Sequence, residues 1–127
     1  MNTIKTLPTN DHLISLQHAV DMTARYRLNK EAILATEYRD KDILPISETF
    51  NRSAIEKLLS EKDCAAIRIY YGMDETERSH AILVGVNASN EDILPSSTNT
   101  LSESDEVILE EGQRCPDICP EKSPLNS

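Results

Sequence analysis

The side chains with the most chemistry to offer are two cysteines four residues apart. They sit in the run Cys115-Pro116-Asp117-Ile118-Cys119-Pro120. Two thiolates can supply half of a zinc site, but a closed site needs four ligands and usually draws on a second pair. Cys64 is the one other cysteine, and His12, His18 and His80 are the only imidazoles. The x₃ spacing also differs from the C-x-x-C of redox enzymes, and the prolines oppose easy ring closure. Three readings of Cys115 and Cys119 therefore stay open: an exposed tail with free thiols, which is favoured, a disulfide or redox pair, and a metal site. Cys64 reads as a small buried apolar residue.

Arg68 and Tyr70 are two apart on an alternating stretch and would share one strand face. An arginine beside a tyrosine can bind a carboxylate or a peptide C-terminus through paired hydrogen bonds. The plainer reading is a cation whose stem covers apolar surface and whose head meets a cross-strand acid. His80 stands beside Arg78, across a loop from Asp74, Glu75 and Glu77, and an imidazole near carboxylates can act as a general base. Its neighbour Ser79 would point to the opposite strand face, so no nucleophile is placed beside it. No G-x-S-x-G, H-E-x-x-H, P-loop or G-x-G-x-x-G occurs, and three glycines cannot build a phosphate cradle. No residue is assigned a catalytic role, and no cofactor is implied.

The elements that must hold these residues come from an aliphatic chain. Leu, Ile, Val and Phe make up 30 of 127 residues, Trp is absent and Phe occurs once, so any core is built without large aromatics. Net charge is −9, from 13 basic and 22 acidic side chains. That balance excludes a protein that coats nucleic acid or anionic lipid. No apolar run approaches a membrane span, and the N-terminus has no apolar signal core. A cytoplasmic location with reduced thiols is expected, so a disulfide-built scaffold is not.

Charge divides the chain. Residues 1–88 carry net −2, whereas residues 89–127 carry nine acids and two bases, four of the six prolines and a run of Ser, Thr and Asn. Such a stretch has little apolar area to offset its ordering entropy. The expectation is one α+β domain over residues 10–94, followed by an acidic, partly disordered tail over 95–127. Within that tail, Val107-Ile108-Leu109 reads as a possible edge strand at 107–110.

Inside the domain, Thr9-Asn10-Asp11 would cap a first helix with Leu16, Ala19, Val20, Thr23 and Tyr26 along one stripe. Ala32 to Ala35 extends that helix or forms a short one. Asn51 would cap a second helix that buries Ile55, Leu58 and Leu59. Two strands follow, Ala65–Tyr71 and His80–Asn87, joined by the loop from Gly72 to Ser79. Ile67, Ile69, Ile82, Val84 and Val86 are expected to pack against the second helix. The fold class read here is two or three N-terminal helices packed on a small antiparallel sheet of two to three strands. Asp42-Ile43-Leu44-Pro45 recurs as Asp92-Ile93-Leu94-Pro95, but four residues make no repeat, and both read as an extended exit stopped by proline.

Ile55-Glu56-Lys57-Leu58-Leu59, Cys64-Ala65-Ala66-Ile67-Arg68-Ile69-Tyr70-Tyr71-Gly72 and Ile82-Leu83-Val84-Gly85-Val86-Asn87, with the Cys-Pro-rich C-terminal run, carry a resemblance. The chain resembles a family of small uncharacterised bacterial proteins of the Bacteroidetes type. The resemblance implies that Arg68, Tyr70, Tyr71, Gly72 and the two C-terminal cysteines belong to a shared pattern. It implies no mechanism.

Three functions remain. The favoured one is a small non-catalytic interaction or accessory protein with a protein partner, which the acidic balance suggests is basic. The alternative is a thiol-based metal-binding or redox protein using Cys115 and Cys119. An unrecognised small hydrolase or transferase around Arg68, Tyr70 and His80 comes third, because its motifs are missing. Nucleic acid and membrane are not expected as partners, and oligomeric state is not legible.

Overall fold

The computed structural model describes residues 3–95 and 108–127. In chain order the elements are α1 (Leu16–Asn29), a 3₁₀ turn (Thr36–Tyr38), β1 (Ser47–Thr49), α2 (Arg52–Leu59), β2 (Cys64–Met73) and β3 (Ser79–Asn87). Three short strands follow, β4 (Asp92–Ile93), β5 (Ile108–Leu109) and β6 (Gln113–Cys115). They form two compact units. One comprises Met1–Thr9, Phe50–Gly72 and His80–Gly112, the other Asn10–Thr49, Met73–Ser79 and Gln113–Ser127.

The first unit is built on a four-stranded sheet in which β3 is central. β2 lines one side of it. β4 pairs antiparallel through Gly85↔Ile93 and Val86↔Asp92, and β5 through Leu83↔Leu109 and Val84↔Ile108. Asn51 stands at the head of α2 with an extended backbone, and its carbonyl, not its side chain, accepts from Ala54 and Ile55. At the other end of α2, Leu58 is fully buried. A Cβ at Gly85 would lie 3.8 Å from the Leu58 carbonyl oxygen and 3.1 Å from Cys64 Sγ, so glycine lets helix and strand approach closely.

That contact fixes which face of β3 meets the helix. Side chains alternate, so Leu83 and Gly85 face α2, while Ile82, Val84 and Val86 point to the other side. The expected face is thus reversed. Leu58, Val84 and Val86 are buried as core residues, joined by Leu83, but Ile69 (51% exposed) and Leu59 (48%) are not. An eight-residue helix is about 12 Å long. It cannot cover a strand of ten residues, which leaves part of β2 open.

In the second unit, β1 and β6 form a two-stranded antiparallel ribbon with Ser47↔Cys115, Glu48↔Arg114 and Thr49↔Gln113 opposite each other. α1 starts at Ser15, whose hydroxyl accepts from His18 N at 3.0 Å. Asn10 and Asp11 do not cap it. Their carboxamide and carboxylate oxygens accept from His12 N (2.8 Å) and Leu13 N (3.1 Å), closing local turns two residues on. Ala32–Ala35 forms no helix. Tyr26 donates its hydroxyl to the Pro45 carbonyl at 2.7 Å, and Arg27 donates to the carbonyls of Leu125 (2.5 Å) and Ser127 (2.6 Å). The 74–78 loop is organised by Asp74, whose Oδ1 accepts from Thr76 N, Thr76 Oγ1 and Arg78 N. With that support the flanking strands run on to Met73 and back to Ser79, so the connection is five residues and not eight.

The expected fold class is therefore wrong in its architecture. The described residues are mixed α+β, with two α-helices and six strands in two antiparallel sheets. The helices do not form an N-terminal layer on a two- or three-stranded sheet. α2 alone belongs to the unit with the four-stranded sheet, and α1 buries none of its residues. The stretch read as an acidic tail with a possible edge strand contributes two short strands among the described residues. Ile108–Leu109 pairs with β3 and Gln113–Cys115 with β1. The Ser/Thr-rich run, expected to be mobile, and Val107, expected to begin the edge strand, lie outside the described residues.

Candidate functional site

β2 and β4 bring together the polar side chains singled out on the strand. Arg68 donates from Nη1 to Asp92 Oδ1 and from Nη2 to Asn90 Oδ1, and the Tyr70 hydroxyl donates to Asp92 Oδ2. Asn90 in turn donates from Nδ2 to the Ile4 carbonyl at 2.8 Å. The register explains the meeting. Asp92 is opposite Val86 and so shares its face, the one that Ile82 occupies. Gly72 faces Ile82, since a Cβ there would clash with Ile82 Cδ1 at 2.8 Å, and Arg68 and Tyr70 alternate in step with Gly72.

Electrostatics follow from this geometry. Burial weighs against the Arg68 charge, but hydrogen bonds to Asp92 and Tyr70 outweigh it and hold the guanidinium above its ordinary value. The hydrogen bond to Asp92 raises the Tyr70 phenol, because ionisation would set two anions against each other. A raised folded-state value means that the associated stability is fully present below the unfolded tyrosine value. It is lost as pH rises through the folded one. Tyr26 is also raised, chiefly by burial, and Tyr38 by the Glu77 carboxylate. Comparing alkaline phenolate absorbance in wild type and Asp92→Ala therefore isolates Tyr70. One tyrosine should titrate at lower pH in the variant, and an unchanged curve would sink the assignment.

Asp92 and Asn90 were not singled out from sequence. The one signal was the shared Asp-Ile-Leu-Pro run, and the two copies differ in structure. Asp92-Ile93 is β4. Asp42 has a left-handed backbone (φ 57°), and it and buried Ile43 offer their carbonyls to Arg114. As chemistry, the Arg68 cluster is a closed fork. Both of its terminal guanidinium nitrogens are engaged by Asp92 and Asn90, so the carboxylate that such an arginine could recognise is already supplied by the chain.

His80 is not brought into this cluster: its Nδ1 is 3.2 Å from Glu110 Oε1, an ion pair when the imidazole is protonated. Cys115 and Cys119 are joined in a disulfide with their Cα atoms 4.6 Å apart. The prolines thus do not prevent ring closure, and Cys115 is not on an exposed tail but buried in β6. In this state the pair presents no thiolate for a metal. Among the described residues, no group of three or more His, Cys, Asp and Glu side chains is arranged to hold a metal ion. Beyond the disulfide turn, Asp117 binds Arg78 at 2.6 Å. Among the described residues, no helix is long and apolar enough to cross a membrane. The chain matches no protein-family model, no curated protein and no solved structure.

Proposed function

We propose that this chain is a small non-catalytic interaction or accessory protein. The observation that carries the reading is α1. It buries none of its residues, and Met22 (50% exposed) and Tyr26 (36%) on one of its faces line a shallow groove together with Ile33 (72%) just beyond its end. A contiguous apolar surface that the fold leaves open is the usual material of a protein contact. The Arg68 cluster supports the same view, because its polar groups bond to one another and leave no unspent donor fork for a substrate. The net charge of −9 favours a basic partner through long-range attraction. The resemblance to uncharacterised bacterial proteins brings no activity to weigh against this.

The test compares the full chain with a Met22→Lys/Ile33→Lys variant as bait in lysate of the source cells. Wild type should retain a defined partner, in a salt-dependent way, at least tenfold better than the variant. Both should unfold at the same denaturant concentration, since neither residue is buried. Equal retention by the two baits would sink the reading. So would turnover in a hydrolase or transferase screen that Arg68→Ala abolishes.

A further inference from the structure

We propose that the Cys115–Cys119 disulfide is a thiol–disulfide exchange site. Its reacting sulfur is Cys119 Sγ, and its substrate is a low-molecular-weight thiol of the glutathione class. The proposal is independent of the interaction reading above. It rests on the unequal setting of the two sulfurs.

Cys115 is 4% exposed and sits in β6 opposite Ser47, with its carbonyl accepting from Ile46 N at 3.0 Å. Cys119 has left the strand. It lies in the exposed stretch from Pro116 to Lys122, beside Ile118 at 60% exposure. Which sulfur of a disulfide is attacked depends on access as well as on thiol acidity. Access here favours Cys119. The local charge also permits an anionic thiol to approach, because the Asp117 carboxylate is engaged by Arg78.

In the first step a thiolate sulfur forms a bond to Cys119 Sγ. The Cys115–Cys119 bond breaks, its electron pair goes to Cys115 Sγ, and that sulfur takes up the proton released when the incoming thiol ionised. The product is a mixed disulfide at Cys119 and a buried free thiol at Cys115. A second thiol can then attack the adduct, giving oxidised low-molecular-weight disulfide and the free Cys119 thiol. The protein gains two electrons and two protons in all. Cys115 is held by strand pairing a few ångströms away, so it can also re-attack and expel the small thiol. The adduct on wild-type protein is accordingly short-lived.

The experiment uses the full oxidised chain with reduced glutathione at neutral pH, acid quenching and peptide mapping by mass spectrometry. The expected early adduct is on Cys119 with Cys115 free. To trap it, Cys115→Ser is treated with oxidised glutathione and should take one glutathione on Cys119. Cys119→Ser, with its thiol buried, should react at least tenfold more slowly. If either variant fails to fold, the mapping on the wild-type chain decides alone. An adduct on Cys115, equal rates for the two variants, or reduction only after denaturation would overturn the proposal. So would folded protein isolated with two free thiols that oxidised glutathione cannot convert.

Discussion

Leu58→Ala should lower the stability of the chain by about 2–5 kcal/mol, the range for truncating a fully buried leucine. Leu58 is 0% exposed, and its own carbonyl lies close to Gly85, so the truncation removes packed side-chain volume where helix and strand meet. A loss of that size is a large share of the ~5–15 kcal/mol by which domains are commonly stable. The neighbouring Leu59→Ala is the control. Leu59 is 48% exposed, and its truncation should cost less than about 1 kcal/mol. Denaturant unfolding of the three proteins gives the comparison directly. A cost below about 0.5 kcal/mol for Leu58→Ala would mean that this face of α2 is not packed.

The same residue shows how far the fold was legible. Ile55, Leu58 and Leu59 at helical spacing after Asn51 marked α2, and two long alternating runs marked β2 and β3. These signals are strong because each element is long enough for its period to repeat. β1, β4 and β6 have two or three residues each, too few for any alternation to show. Their existence depends on pairing with strands distant in sequence, as when β1 finds β6 across more than sixty residues. The choice of sheet face failed for a related reason. Val84 and Val86 are more apolar than Leu83 and Gly85 as a pair, so they read as the helix-facing side. Close approach at a glycine decided the matter instead, and only a structure shows it.

The candidate site divides along the same line. Arg68 and Tyr70 were legible as a pair because two residues on one strand share a face. Their partner Asp92 was not, since its place follows from the register of a two-residue strand. The cysteines were legible as the chain's reactive pair, but spacing alone could not choose among free thiols, disulfide and metal. That choice turns on where β6 ends and which sulfur it buries.

Arg114 was not legible at all, and the second large effect is expected there. It is 4% exposed. Its Nε donates to the Ser79 carbonyl at 3.1 Å and its Nη2 to the carbonyls of Asp42 at 3.0 Å and Ile43 at 3.3 Å. The guanidinium thereby ties β6 to two segments, residues 42–43 and residue 79, that are remote from it in the chain. Hydrogen bonds from a charged donor contribute roughly 1.5–3 kcal/mol each, with incomplete additivity. Arg114→Met keeps most of the stem's packing and removes every donor, so it should destabilise the chain by about 2–4 kcal/mol. Arg114→Lys keeps the charge but not the fork, and a single ammonium cannot reproduce the same three bonds. It should fall between wild type and Met. Hydrogen exchange supplies a local readout, because the Ile46 amide bonds to the Cys115 carbonyl next door. That amide should exchange faster in Arg114→Met if the guanidinium holds the ribbon in place. A midpoint within about 0.5 kcal/mol of wild type, with the Ile46 amide still protected, would show that strand pairing holds β6 without it.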